Sequence, residues 1–343
     1  MRLIFDPRQL LHAPETYFRQ GLMVPHPEQP QRAELIRDRL VAEGHALTSP
    51  ADHGEAPIKA VHGEAYVDFH RTAWQEWLKF APDGRVAVPN YFPSRGTNRP
   101  PEGVVGQLGY YGTGTSCPIT PGTWEAIYWS AQTAIEGAAR VMAGTRAVYS
   151  LCRPPGHHAY REASNGFCFF NNAGIAAEHL RRSFGRVAII DIDTHAGQGT
   201  QDIFYARGDV FVGSIHRDPA AYVPFFAGYG DETGAGAGAG CHLNVCLAAG
   251  ADDAVILVGI AQLIESATEF GAEALVVSLG FDMAADDPLS EVAMSGAGFE
   301  AAARALMAMG LPTLLVQEGG YLGPSLAENA ALFLAAADAA LTP

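Results

Sequence analysis

The sequence predicts an α/β fold: a single domain spanning residues 1–343, built on a doubly wound, mostly parallel sheet flanked by helices. Three observations predict it. From residue 147 onward, short aliphatic runs alternate with segments of helical periodicity, the pattern of βαβ units joined by right-handed crossovers. The run Val187-Ala188-Ile189-Ile190 is uniformly aliphatic, as a strand buried on both faces must be. A chain of 343 residues buries about three quarters of its unfolded surface, enough for one large core, and no stretch of it reads as a linker.

Taken in order, Arg2 to Phe5 reads as a first strand. From Arg32 to Glu43 the apolar residues Ala33, Ile36, Leu40 and Val41 recur at helical spacing, giving a surface helix. Ala60 to Val67 belongs to a second helix that ends before Pro82-Asp83-Gly84. Residues 89–121 are rich in Pro, Gly, Thr and Asn and lack periodicity; a loop of this length shapes a binding rim or contains short elements of its own. Trp124 to Ala143 is a helix, with Thr123 as N-cap and Gly144 as stop. Strands are then expected at Ala147–Leu151, from Val187, at Val210–Ile215, Ala274–Leu279 and Thr313–Val316. Helices are expected at Asn172–Phe184, Thr200–Arg207, Asp253–Phe270, Met294–Met309 and Ser325–Leu341. A second long loop, 218–240, ends in alternating glycine and alanine. No Gly-Lys-Ser/Thr closes that run, so it reads as flexible packing rather than a phosphate loop.

Composition narrows the function. Lys+Arg 22 against Asp+Glu 37 leaves a net charge of −15, which disfavours nucleic acid and favours cationic or neutral ligands. Five cysteines form no Cys-x-x-Cys pair, so neither a disulfide framework nor a cysteine zinc site is expected and a reducing cytoplasm fits. The first apolar run is too short for a signal peptide, and no stretch of 18 apolar residues could span a membrane.

Chemistry gathers at the expected strand ends, where open parallel sheets bind ligands. Asp191, Asp193 and His195 alternate, so in extended backbone they share one side. A capped strand end would explain a lone Asp; three such groups call for a cation, because unpaired carboxylates are costly to bury. His157 and His158 follow Pro154-Pro155-Gly156 on a stiff loop that can aim both rings into one pocket. Asp282 follows the strand ending at Leu279 and offers a third ligand, and Tyr321 follows Glu318-Gly319-Gly320. An Asp, His, Asp set suits Zn²⁺, Fe²⁺, Co²⁺ or Mn²⁺. Together these parts describe metal-assisted hydrolysis, with water as nucleophile, histidine as base and acid, and a phenol for the oxyanion. No Gly-x-Ser-x-Gly elbow is present, and Cys152 lacks the electropositive setting of a reactive thiolate.

Six motifs in order carry a family resemblance: His26-Pro27-Glu28 with Pro30 and Arg32-Ala33; Arg153 to His158; Gly166 to Asn172; Asp191 to His195; Ser278 to Asp282; and Glu318 to Tyr321. The chain resembles the arginase/deacetylase superfamily, in particular its acetylpolyamine amidohydrolases and zinc-dependent histone deacetylases. Pro121 to Glu125 and the preceding loop are closer to the polyamine branch. The resemblance implies Asp193, His195 and Asp282 as ligands of a zinc-like ion, His157 and His158 as catalytic histidines paired with Asp191 and Gln198, and Tyr321 on the substrate carbonyl. It implies that Phe167, with Gly166 beside it, lines the acyl channel. It also implies structural potassium on Asp191, Asp193 and His195 with backbone near Ser214 and Ile215, and a second potassium near Phe204, Arg207 and Val210. Three positions depart from the family pattern. Ala196 replaces a usual second histidine, where a local packing change is expected; Gln198 cannot carry charge; and Glu102 is the one acid between Tyr91 and Trp124 to meet a distant ammonium. The implied substrate is a small N-acetylated amine, an acetylpolyamine first and an acetyl-lysine or other small amide as the alternative, in a homodimer whose mouth the 89–121 loop narrows. A binuclear manganese ureohydrolase would need a second Asp-x-Asp where Ala284 stands. A non-catalytic amide-binding protein would have no use for His157, His158 and Tyr321 together.

Overall fold

The computed structural model describes residues 1–94 and 98–341. Its strands are β1 (Arg2–Ile4), β2 (Thr16–Arg19), β3 (Leu22–Pro25), β4 (Ala46–Thr48), β5 (Ala147–Ser150), β6 (Val187–Asp191), β7 (Val210–Arg217), β8 (His242–Leu247), β9 (Ala274–Leu279) and β10 (Thr313–Gln317). Its helices are α1 (Pro30–Ala42), α2 (Ala56–Lys59), α3 (Glu64–Phe80), α4 (Val104–Tyr110), α5 (Thr123–Met142), α6 (Asn172–Leu180), α7 (Gln198–Phe204), α8 (Asp253–Phe270), α9 (Gly296–Met307) and α10 (Leu326–Leu341).

Eight strands form one sheet in the order β4-β1-β5-β10-β9-β6-β7-β8, and every pairing in it is parallel. The expected fold class holds. Adjacent residues serve opposite faces: Ile190, Val277 and Leu315 pack with α1, α8, α9 and α10, whereas Ile189, Val276 and Leu314 pack with α5 and α6. Both faces are covered, so the central strands carry no polar alternation. Each aliphatic side chain buried this way contributes about 1.5–3 kcal/mol.

Local chemistry ends the helices where expected. Asp252 accepts from Ala254 N and Val255 N to start α8, and Gly271, at φ +78°, stops it in the left-handed region. Asn171 caps α6 through Gly174 N at 2.8 Å. Thr123 is not the N-cap of α5; Gly122 is, and the Thr123 hydroxyl instead accepts from Thr120 N at 2.8 Å.

Other expectations shift. The segment from Ala60 is divided, with α2 before it and α3 beginning at Glu64. Loop 89–121 contains α4, whose seven residues are too few and too glycine-rich to show periodicity. β4, β8 and the antiparallel β2–β3 hairpin were not legible: β4 has three residues, and β8 follows the glycine run with a half-polar sequence. That run makes a short 3-10 turn at Gly236–Gly238, where Gly238 lies so close to the backbone of Tyr205 and Arg207 that a Cβ would collide with it.

Candidate active site

The four central strands, β5, β10, β9 and β6, end on the same edge, and each releases a loop bearing functional side chains. From β6 come Asp191, Asp193 and His195; from β9, Asp282; from β5, His157 and His158; from β10, Glu318 and Tyr321.

One donor atom from each of Asp193, His195 and Asp282 lies within 4.8 Å of the others, all three side chains being buried. His195 Nδ1 stands between the carboxylates, 3.0 Å from Asp193 Oδ1 and 3.1 Å from Asp282 Oδ2. The outer sides of these carboxylates are held by backbone donors: Gly319 N donates to Asp193 Oδ2 at 2.8 Å, and Thr194 N to Asp282 Oδ1 at 3.1 Å. Gly319 must be glycine, because a Cβ there would run into both carboxylates. Burial and the Asp193 charge push the Asp282 carboxyl up to about 7, although His195 opposes them. Burial disfavours charge on His195, but the two carboxylates outweigh it and hold the ring at about 9. A divalent cation would compete with that proton for the same Nδ1. Two hard oxygens and one borderline nitrogen, convergent and preorganised, fit such an ion.

The tandem histidine rings lie with centroids 4.0 Å apart and planes tilted by 37°, and their Nδ1 atoms find different partners. His157 Nδ1 is 2.9 Å from Asp191 Oδ2; His158 Nδ1 is 2.7 Å from Gln198 Oε1. The consequence is a split in charge. Burial disfavours an imidazolium at His157, but Asp193 and Asp191 outweigh it and hold the pKa well above the ordinary value. At His158, burial and then the positive His157 and His195 drive it well below, leaving a neutral ring. With the amide oxygen of Gln198 accepting at Nδ1, the His158 lone pair is on Nε2. Gln198 Nε2 is buried without a partner among the described residues.

Tyr321 is 4% exposed. Its backbone N–H donates to Asp287 Oδ2 at 2.6 Å, and the Arg32 guanidinium lies 4.7 Å from its ring centroid. Burial holds the phenol well above its usual pKa, against the pull of Arg32, so it is a neutral donor. Phe167, at φ +68°, meets Tyr321 edge to face at 6.0 Å and Tyr17 at 5.6 Å. Gly166 sits so close to the His158 ring that a Cβ would clash with it.

The remaining expected positions are placed as follows. Asp191 pairs with Ser214 in the β6–β7 register, with Ile215 next along β7. Phe204 O accepts from Arg207 N at 2.9 Å and lies 3.1 Å from His242 Nε2, while Val210 opens β7. Ala196 is buried against Gly228, where a Cβ would meet both Ala196 and His216; the 218–240 loop closes over the space a larger residue at 196 would fill. Glu102 is exposed in the bend before α4.

Three features were not read from the sequence. Tyr222, in the 218–240 loop, stacks on His195 with centroids 5.2 Å apart and rings 19° from parallel; nothing in that irregular stretch singled it out. Glu28 joins Arg32 and Arg153 at 2.8 Å each in a buried triad. Glu318, quoted only as part of a motif, accepts from Gly156 N at 2.6 Å and His157 N at 3.1 Å.

Comparison with known proteins agrees with this geometry. The family model described as "Histone deacetylase domain" matches residues 26–337. An acetylpolyamine amidohydrolase of Burkholderia pseudomallei is 44% identical over 97% of both chains, and one of Mycoplana ramosa is 42% identical over 96% of this chain and 98% of its own. A crystal structure of acetylpolyamine aminohydrolase from Burkholderia pseudomallei superposes with a TM-score of 0.95 at 43% identity, covering 99% of both chains. The HDA15 HD domain superposes at 0.81 and 26% identity, covering 99% of this chain and 90% of its own. A parallel sheet, convergent metal-type donors and paired imidazoles thus meet a family match over most of the length: the chain belongs to the histone deacetylase family and is a hydrolase of its metal-dependent deacetylase type.

Proposed function

We propose that this chain removes the acetyl group from N-acetylated polyamines or diamines. The observation that carries the reading is the convergence of Asp193, His195 and Asp282 to within 4.8 Å beside a neutral and a charged imidazole. The resemblance to acetylpolyamine amidohydrolases over nearly the whole length supports the amine class.

Asp193, His195 and Asp282 would hold a divalent ion, zinc first and Fe²⁺, Co²⁺ or Mn²⁺ as alternatives. Such an ion supplies Lewis acidity to the acyl carbonyl and acidifies a neighbouring water. His158, neutral with a free Nε2, takes the proton of the attacking water. His157, kept charged by Asp193 and Asp191, stabilises the negative charge gathering on the acyl oxygen. Tyr321 donates its hydroxyl hydrogen to the oxyanion, and His158 returns the proton to the departing amine. Products are acetate and a free primary amine. Phe167, with Gly166 beside it, walls a slender acyl channel, and Glu102 is the acid of the 89–121 segment offered to a distal ammonium. Potassium at Asp191, Asp193, His195, Ser214 and Ile215, and near Phe204, Arg207 and Val210, would stiffen the loops behind the site.

Residues 1–343 are read as one catalytic domain. The exposed Phe18, Phe80, Tyr91 and Phe92 line one apolar groove, which supports a homodimer closed by the 89–121 segment. Among the described residues no helix is long and apolar enough to cross a membrane, and all five cysteines are free, as a cytoplasmic setting would favour.

The test is acetate release from acetylputrescine, acetylspermidine and an acetyl-lysine peptide. Turnover of the first two, lost with a chelator and restored by one equivalent of divalent metal, supports the proposal. A preference for the peptide would move the assignment to acetyl-lysine, and chelator-resistant turnover would remove it.

A further inference from the structure

Glu318 is the fully buried carboxylate of the site that the scheme above does not use. Unpaired in this interior it would be costly. Its side chain accounts for itself by what it holds: Oε2 accepts from the backbone N–H of Gly156 at 2.6 Å and of His157 at 3.1 Å, and Oε1 from Ser278 Oγ at 3.4 Å. Those amides belong to the stiff turn that aims the His157 and His158 rings. Although His157, Cys168 and Glu318 also group within 4.8 Å, the Glu318 oxygens already have three protein donors, and a cation is not needed to satisfy them.

The backbone of the same segment is pinned just as firmly. Arg32 donates to Glu318 O at 2.7 Å and to Gly320 O, and Gly319 N donates to the metal-type ligand Asp193. Tyr321 follows at once, tied through its own N–H to Asp287. One four-residue strap after β10, Glu318 to Tyr321, therefore touches the histidine turn and the ligand set and carries the phenol.

We infer that Glu318 is the positioning residue of the tandem histidines: its carboxylate clamps the Gly156 and His157 amides, and so fixes the rings relative to Asp193 and Tyr321. The inference rests on the histidine roles proposed above. Two amides on one side-chain oxygen define direction as well as energy, because hydrogen bonds weaken steeply as their angle departs from linear. Substrate-channel residues such as Phe167 do not touch this carboxylate, so loss of the clamp changes turnover and leaves KM alone.

The experiment compares wild type, Glu318→Ala, Glu318→Gln and Glu318→Asp for kcat, KM, metal content and thermal midpoint on an acetylated diamine. E318A is expected to lose kcat on the order of 10- to 100-fold, with KM and metal content unchanged. E318Q keeps an acceptor at the same reach and should recover most of that loss. E318D, one methylene short of both amides, should behave like E318A, and it carries the test if E318A does not fold. The inference is overturned if folded, metal-loaded E318A or E318D turns over like wild type, or if E318Q is as impaired as E318A. An inactive wild type would instead fail the deacetylase reading itself, so the two failures are distinguishable.

Discussion

A single hydroxyl tests the chemistry most directly. Tyr321 is buried, neutral and close enough to Asp193 and Asp282 to feel both charges. Removing only its donor, by Tyr321→Phe, leaves the ring packed on Phe167 and under Arg32. Turnover should fall on the order of 10²- to 10³-fold, with stability unchanged; steady-state kinetics on acetylputrescine checks it, and near-normal kcat removes the oxyanion role. Gly319 gives a complementary prediction. Because a Cβ would collide with Asp193 Oδ2 and Asp282 Oδ2, Gly319→Ala should weaken divalent-metal affinity by about 10- to 100-fold, read by competition with a chromogenic chelator. These positions were legible in the sequence as motif members. What was not legible was the direction of control: the side chain of Glu318 and the backbone of Gly319 act from β10 on groups carried by β5 and β6, and only assembly of the sheet brings them together.

At the scale of elements, the strands were the clearest signal because the sheet is parallel and covered on both faces. The cores of β6, β9 and β10, residues 187–190, 274–277 and 314–316, are continuous aliphatic runs, and the polar residues that follow each are site residues or their neighbours. Edge and insertion elements escaped for the opposite reason. The β2–β3 hairpin leaves Phe18, Leu22 and Met23 exposed, so no periodic pattern marks it. The joint between α1 and the histidine turn also has no periodic signature. Glu28 stands just ahead of α1, Arg32 in its first turn and Arg153 after β5, and together they form a buried triad with both guanidiniums 2.8 Å from Glu28 Oε1. Burial raises the Glu28 carboxyl pKa, but Arg153 and Arg32 overcome this and hold it below the usual range, so it stays ionised. Glu28→Leu would leave two guanidiniums buried without their carboxylate, at a cost of about 3–5 kcal/mol. Urea unfolding measures it, and a loss below about 1 kcal/mol would mean that the carbonyls around Arg153 suffice.

For the whole molecule, the response to acid is written in its buried neutral histidines. Burial lowers His12 and His70 to about 3 and His62 to about 4. An unfolded histidine takes up its proton near pH 6.5; these folded rings refuse it until the solution reaches about pH 4 for His62 and about pH 3 for His12 and His70. The sign follows: their contribution is fully present above pH 6.5 and is lost as pH falls toward 3 or 4, at up to about 1.4 kcal/mol per unit for each ring. Other groups titrate in the same window, among them Asp282 and Glu318, held up near 7, whose protonation favours the fold as pH falls. A difference between two proteins cancels them. His70 suits this because both ring nitrogens lack partners among the described residues and its neighbours are the rings of Tyr66, Phe69, Phe169 and Phe170. In His70→Phe no proton can bind in either state. The variant should therefore gain on wild type as the solution is acidified, by about 2 kcal/mol more at pH 5 than at pH 7.5. Chemical denaturation at the two pH values reads the gap directly; an equal difference at both would show that the buried ring already accepts its proton near pH 6.5 and that the aromatic cluster around it is open to water.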